Sequence, residues 1–188
     1  HIVSDLRSDF GEIRDQGDRP TCLAFASSDL NGHYHGLSDP LSVEYLFHNS
    51  VQRMKPSDPS SGISMVAVSD TLKTDGQPVE TDWPYLQNLP SDLSAWKPPA
   101  TVRSIWHCDL GFSKMTFDQV VATIKDGASI MLILALTQRF FSGVHQDAGN
   151  VLLSQVLLHQ DRGPETAVSG VFRVASAPPP VVSRRGSG

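Results

Sequence analysis

Cysteine is scarce in this chain, which has only Cys22 and Cys108 among its 188 residues. Proteins that rely on disulfides in an oxidising compartment use more, so this composition fits a reducing compartment and predicts a cytoplasmic protein. The N-terminal residues also lack the basic and then apolar pattern of a secretory signal. No apolar run reaches the roughly 20 residues that a bilayer-spanning helix needs, so we expect no membrane partner.

Basic residues are also in the minority. The 15 Lys and Arg residues are outnumbered by 20 Asp and Glu residues, which gives a formal net charge of −5. Nucleic-acid binding needs a basic surface that meets the phosphates, so we expect no nucleic-acid partner. Neither of the common Gly-rich phosphate loops is present, and His33 and His35 lie two residues apart on a predicted helix and face different ways. We therefore predict no cofactor and no metal site.

The most informative segment that is present, residues 15–26, places a glutamine six residues before a cysteine. Cys22 opens a run of small and apolar residues that predicts a helix, with Thr21 as its N-cap. A helix N-terminus carries partial positive charge and free backbone N–H groups, which both favour a thiolate over a thiol. A backbone N–H and the Gln16 side-chain amide could converge on a developing oxyanion. The segment indicates nucleophilic catalysis by Cys22, against the alternative of a small buried cysteine.

Three further stretches follow the cysteine segment in the first half of the chain. Together the four read Gln16-Gly17 with Cys22-Leu23-Ala24-Phe25, then Leu41-Ser42-Val43-Glu44-Tyr45-Leu46, Ser61-Gly62-Ile63-Ser64-Met65, and Asp75-Gly76 through Trp83-Pro84-Tyr85. Over about residues 4 to 86 they resemble, in order, the papain-like cysteine peptidases, and most closely the bacterial, disulfide-poor members. The resemblance implies that Cys22 is the nucleophile and that Gln16 is the oxyanion-hole side chain. It also implies that Gly62 lies along the cleft and hydrogen-bonds to the substrate backbone.

Two departures from the family's pattern lie beside the predicted nucleophile. Leu23 stands where the family has a tryptophan, on one wall of the cleft, and we expect it to contact substrate. Arg19 stands where many members carry a structural cysteine, so that disulfide cannot form.

The second half of the chain departs further. The family places its histidine base at the start of a strand, and the best local match puts Thr166 at that position, before Ala167 and Val168. A threonine hydroxyl has no useful pKa near neutrality and cannot act as a general base, so Thr166 is predicted only to face the substrate. The family's Asn-Ser-Trp-Gly segment is absent. The resemblance therefore implies a degenerate or truncated C-terminal half.

Another histidine could replace the missing base. His159 is the preferred substitute, because it ends an apolar run seven residues before Thr166 and a strand end can aim a side chain. His145 and His107 remain alternatives. Each of the three is otherwise read as an ordinary surface or loop histidine.

The order of predicted elements favours an α+β fold. Helices are predicted over residues 21–35, 42–54, 63–74 and 116–126, and strands over 101–108, 129–136, 150–159 and 166–175. The resemblance implies a papain-like two-subdomain fold, with a helical N-terminal lobe at about 15–90, an antiparallel β-rich C-terminal lobe at about 100–176, and a cleft between them. Residues 1–176 form the predicted domain. Residues 177–188 are Pro-rich and form either a linker to a further domain or an appended tail.

Two functions remain open from the sequence. The first is a papain-like cysteine peptidase, in full or weakened form, that hydrolyses peptide or amide bonds in a peptide or protein substrate. The alternative is an inactive pseudopeptidase that binds a peptide or protein without cutting it, since a fold does not imply its usual activity. The same thiol would also support acyl or amide transfer, which differs from hydrolysis only in the acceptor that the site admits.

Overall fold

The structure is a computed structural model that describes residues 5–113, 115–134 and 168–174. Its helices and strands within these residues are α1 (Cys22–Tyr34), α2 (Val43–Gln52), α3 (Met65–Thr74), β1 (Leu110–Ser113), α4 (Phe117–Lys125), β2 (Ile130–Leu134) and β3 (Val168–Val174). All four predicted helices are found, each ending within three residues of its expected bounds. The chain is therefore a mixed helix and strand protein.

Helices α2, α3 and α4 each begin at a hydroxyl side chain that caps them. Ser42 Oγ accepts a hydrogen bond from Tyr45 N at 3.1 Å, and Ser64 Oγ accepts one from Ala67 N at 3.2 Å. Thr116 forms a capping box with Gln119 at the start of α4. These contacts satisfy backbone N–H groups that have no partner inside the helix. They explain why the chain turns helical at these positions.

The first three helices share one apolar core. Its fully or almost fully buried members include Phe25 and Leu30 of α1, Leu46 and Phe47 of α2, and Leu72 of α3. Full burial of such a side chain stabilises the fold by about 1.5–3 kcal/mol. The same core includes Trp96, Cys108, Leu110 and Met131. Helices and strands are thus joined by continuous packing.

The strands form a sheet in the order β1-β3-β2, with β3 antiparallel to both neighbours. Leu110 of β1 lies opposite Val174, and Ile130 of β2 lies opposite Arg173. The predicted strands 129–136 and 166–175 overlap β2 and β3. The predicted strand 150–159 lies outside the described residues, and the division into two lobes stays a prediction.

The predicted strand at 101–108 is wrong. Trp106 forms only an isolated bridge with Gln77, through hydrogen bonds of 2.8 and 2.9 Å. Neighbouring donors are taken elsewhere, because Arg103 N donates to Asp82 and Cys108 N donates to the carbonyl of Leu72. With those N–H groups occupied, no ladder can form, and the first strand starts only at residue 110.

Helix α1 contacts both the neighbouring helices α2 and α3 and the sheet. It packs against α2 and α3, and it also contacts β2. Ser27 Oγ lies 3.8 Å from the sulfur of Met131, and His33 Nδ1 lies 3.1 Å from Ser129 Oγ just before β2. Packing on both sides fixes the direction of α1 and so the position of its first residue. No helix in the described part of the chain is long and apolar enough to cross a membrane.

Candidate active site

Cys22 is the first residue of α1, and its side chain is exposed to solvent. The first turn of α1 contains no acidic residue that would oppose a thiolate. Cys22 therefore lies at the helix end that carries partial positive charge and N–H groups without partners inside the helix. The prediction that Cys22 opens a helix is confirmed, and the alternative of a buried cysteine is excluded by its exposure.

Cys108 provides the contrast. It is buried in the core, and desolvation raises the pKa of its thiol to about 12. Neither cysteine is in a disulfide. The two thiols of the chain therefore differ sharply in accessibility, and only Cys22 can meet a substrate.

Residues 15–21 form a loop that leads into α1, which we call the nucleophile loop. The Gln16 amide nitrogen donates to the carbonyl of Arg19 at 3.2 Å, which turns the side chain back along the loop. Gly17 adopts a positive φ of 58°, a conformation that glycine adopts without strain, and its N–H donates to the Asp15 carboxylate at 2.9 Å. An amide NH2 group has two N–H bonds, so the contact with Arg19 uses one of them. The second is the kind of donor that an oxyanion hole requires.

A buried ion pair fastens the nucleophile loop to α2. Arg19 makes two contacts with the carboxylate of Glu44, at 2.6 and 3.0 Å, and also donates to the carbonyl of Leu86. The guanidinium lies over the rings of Phe47 and Tyr85, 5.2 and 4.9 Å from their centroids. This pair links the loop to the helix at the position where the family resemblance implies a disulfide. Arg19 therefore anchors the loop without cysteine chemistry.

Tyr85 makes a second set of contacts with the same loop. Its hydroxyl donates to the carbonyl of Gln16 at 2.9 Å and lies 2.7 Å from the hydroxyl of Thr21. The ring packs edge-on against Phe25 at 4.8 Å. The backbone N–H of Tyr85 donates to Glu80 at 2.7 Å. Both ends of the nucleophile loop are thus held by one side chain.

Thr21 occupies the predicted N-cap position but does not cap α1 with its side chain. The hydroxyl is turned to Tyr85 instead. The sequence predicted the N-cap position correctly, but the predicted hydrogen bond from the Thr21 side chain to the helix is absent. The physical reason is that the buried Thr21 hydroxyl finds two other partners, the hydroxyl of the half-buried Tyr85 at 2.7 Å and the carbonyl oxygen of Arg19 at 3.5 Å.

Gly62 is buried against the nucleophile loop. It has φ of 76° and ψ of −161°, a backbone conformation essentially restricted to glycine. A Cβ at this position would lie 3.3 Å from the carbonyl oxygen of Pro20, two residues before Cys22. Gly62 is therefore close to the nucleophile loop. Leu23 is half-buried and packs against the core.

The predicted base lies outside the described residues, as do His145 and Thr166. The histidines among the described residues contact other groups. His33 stacks on Phe10, and His48 packs against Trp83 and Trp96. His35 is hydrogen-bonded to the carbonyl oxygen of His107, and His107 is hydrogen-bonded to the carbonyl oxygen of Lys73. The described residues contain no group of three or more His, Cys, Asp or Glu side chains that could hold a metal ion. His159 stays a prediction.

A cavity of about 380 Å³ lies against the C-terminal half of α1, lined in part by Asp29 and His33. Asp29 is paired there with Arg14, and burial raises the pKa of its carboxyl. Cys22 is not among the lining residues. This cavity is therefore separate from the candidate nucleophile.

Sequence reasoning missed two residues of this arrangement. Glu44 is fully buried, although glutamate is usually exposed, and the only signal was its place in the second matching stretch. Tyr85 belongs to the matching Trp83-Pro84-Tyr85 stretch, but the sequence assigned it no function. The sequence could not show that both reach the nucleophile loop, because they lie 25 and more residues away.

No protein-family model matches the chain, and no curated protein matches its sequence. Among solved structures, one from a study of the mite allergens Blo t 1 and Der p 1 matches with a TM-score of 0.54 and 20% identity, over 66% of this chain and 42% of that one. Xylellain, a cysteine protease from Xylella fastidiosa, matches with a TM-score of 0.54 and 16% identity, over 70% of this chain and 56% of that one. These neighbours are papain-like cysteine proteases, which supports the predicted kind of fold. The chain spans about half the length of these structures.

Proposed function

We propose that this chain is a papain-like domain whose Cys22 hydrolyses peptide or amide bonds. The observation that carries the proposal is the exposed Cys22 at the start of α1, preceded by a loop that is anchored at both ends. The similarity in fold to a cysteine protease supports it. The substrate is a peptide or protein, and Gly62 and Leu23 lie beside the segment that would meet its backbone.

In the proposed reaction the Cys22 thiolate attacks the carbonyl carbon, and the carbonyl oxygen becomes an oxyanion. The Gln16 amide and a first-turn N–H of α1 donate to that oxyanion. A histidine, which we propose to be His159, protonates the leaving amine, and water then releases the acyl group from the sulfur. Thr166 matches the family's base in the sequence alone, and its proposed role is to contact the substrate.

Alkylation with iodoacetamide tests the thiol directly, because it needs no substrate. We expect Cys22 to react at pH 6 much faster than a free thiol of pKa about 8.5, and Cys108 to stay unmodified in the folded protein. Mass spectrometry of the two sites measures both rates in one sample. A Cys22 rate that follows an ordinary thiol titration would contradict the proposal.

Hydrolysis of a fluorogenic peptide-amide library tests the activity. Cys22→Ala should abolish turnover, whereas the matched variant Cys108→Ala should keep it. His159→Ala should also abolish turnover, and Thr166→His should raise it, since a general base contributes roughly 10²–10⁴-fold. Turnover that survives His159→Ala would remove His159 from the mechanism.

A binding function is the second candidate, and the match of Thr166 to the position of the family's base favours it. In that case the domain holds a peptide in the same place without cutting it. Saturable peptide binding that is equal in the parent chain and in Cys22→Ala, with no turnover in either, would support this candidate over the peptidase.

A further inference from the structure

The start of α1 differs from the starts of α2, α3 and α4 in a way that concerns Cys22. Ser42, Ser64 and Thr116 all have extended backbones, with ψ of 103°, 155° and 161°, and all three hydroxyls cap their helices. Thr21 has ψ of 7° and caps nothing with its side chain. A threonine at this position would ordinarily accept from a first-turn N–H group. Something therefore holds Thr21 away from the capping conformation.

Counting the protons identifies the group that holds Thr21. The carbonyl of Gln16 can only accept, so the single proton of the Tyr85 hydroxyl is donated to it. The Tyr85 oxygen, 2.7 Å away, is then the nearer acceptor for the single proton of the Thr21 hydroxyl, since the carbonyl oxygen of Arg19 lies 3.5 Å from it. Burial raises the pKa of Tyr85 above its ordinary 10.0, so its hydroxyl carries a proton at neutral pH. Thr21 is fully buried, so its hydroxyl has no water to turn to.

Tyr85 itself is fixed from several sides. Its backbone N–H is held by Glu80, one edge of its ring packs on Phe25, and the Arg19 guanidinium lies over the ring. A hydroxyl held in this way can impose a conformation on its partners rather than follow them. The partners are Gln16 and Thr21, the two residues that bound the segment leading to the nucleophile.

We propose that Tyr85 is a positioning residue that keeps the first-turn N–H groups of α1 uncapped and holds Gln16 in register with them. The inference rests on the proposed function, since it is the Cys22 thiolate and the oxyanion that use these N–H groups. Without the tyrosine hydroxyl, Thr21 relaxes to an extended backbone and its oxygen accepts from the N–H of Leu23 or Ala24. The thiolate then loses part of its stabilisation.

The variant Tyr85→Phe removes only the hydroxyl and keeps the ring contacts. We expect the rate at which iodoacetamide alkylates Cys22 at pH 6 to fall toward that of an ordinary free thiol. We expect kcat to fall by up to about 100-fold with little change in KM, because a displacement of about 1 Å in a site can cost that much. Tyr45→Phe on α2 is the matched control, and neither quantity should change there.

A second substitution separates positioning from simple destabilisation. Thr21→Val removes the hydroxyl that would cap the helix, and valine has a similar shape. The double variant Tyr85→Phe with Thr21→Val should therefore recover much of the low-pH alkylation of Cys22, although it has lost two hydrogen-bonding groups. A purely structural role for Tyr85 predicts the opposite, since the second change then adds further damage.

Amide hydrogen exchange, followed by NMR, gives a readout that needs no reactive thiol. The amides of Leu23 and Ala24 should exchange more slowly in Tyr85→Phe than in the parent, and quickly again in the double variant. Unchanged exchange and an unchanged alkylation profile in Tyr85→Phe would overturn the inference. If exchange responds as expected while Cys22 of the parent is alkylated no faster than a free thiol, the inference stands and the proposed peptidase function fails.

Discussion

Removal of the Glu44 carboxylate should destabilise the protein more than removal of any exposed charge. Glu44 is fully buried and accepts four hydrogen bonds, two from Arg19, one from Leu86 N at 3.0 Å and one from Trp96 Nε1 at 2.7 Å. In Glu44→Ala the Arg19 guanidinium stays buried without a counter-charge. Leu86 and Trp96 lose their acceptor at the same time.

The expected cost is about 3–5 kcal/mol, the usual penalty for breaking a buried ion pair by removing one partner. This is a large share of a total stability of about 5–15 kcal/mol. With a urea m-value of about 2 kcal/mol per molar, a loss of about 4 kcal/mol lowers the unfolding midpoint by about 2 M. The m-value itself should not change, because the surface exposed on unfolding is nearly the same.

A double variant tests the electrostatic part of this reasoning. Glu44→Gln keeps an oxygen acceptor but leaves Arg19 charged and unpaired, so it should be strongly destabilised. Adding Arg19→Met removes the stranded charge, and the double variant should be more stable than Glu44→Gln alone. Coupling between contacting residues of this kind is about 0.5–3 kcal/mol.

Urea unfolding followed by tryptophan fluorescence measures all of these variants. Lys73→Met is the control, because the ammonium of Lys73 pairs with Asp109 on the exposed surface and its loss should hardly move the midpoint. A Glu44→Ala midpoint within the error of this control would refute the assignment of Arg19 and Glu44 as the anchor of the nucleophile loop.

Two further predictions concern the same region. Gly62→Ala should lower the free energy of unfolding in urea by about 1–3 kcal/mol, because φ of 76° with ψ of −161° is essentially closed to alanine and its Cβ would lie 3.3 Å from Pro20 O. Gly36→Ala is the control: its φ is also positive, but its added Cβ would meet nothing within 4 Å, so it measures the backbone strain alone. Burial lowers the pKa of His48 in the folded protein below its ordinary 6.5. As the pH falls, His48 is therefore protonated in the unfolded chain before it is protonated in the folded one, and the stability should fall as the pH drops below about 6.5. His48→Phe should flatten that part of the urea-midpoint profile, and an unchanged slope would assign it to other groups.

The sequence predicted the local elements of the described chain well where the signals are local. Ser42, Ser64 and Thr116 each precede an amphipathic run, and each caps a helix in the structure. Residues 101–108 show the limit, since their loose alternation suggested a strand. Whether an extended segment joins a ladder depends on which partner its N–H groups meet, and here Asp82 and Leu72 take them.

For the candidate site, the sequence by itself determined the residue types and their spacing: Gln16, Cys22 as the first residue of a helix, and a glycine at 62. These follow from local chemistry, because helix starts and φ-restricted positions are set by neighbouring residues. Only the tertiary structure decided that Arg19 is buried on Glu44 and that Tyr85 draws Thr21 away from its cap. Such contacts join residues 25 to 64 positions apart, and they form because packing around α1 removes water, so that each buried polar group must take its hydrogen-bond partners from the protein.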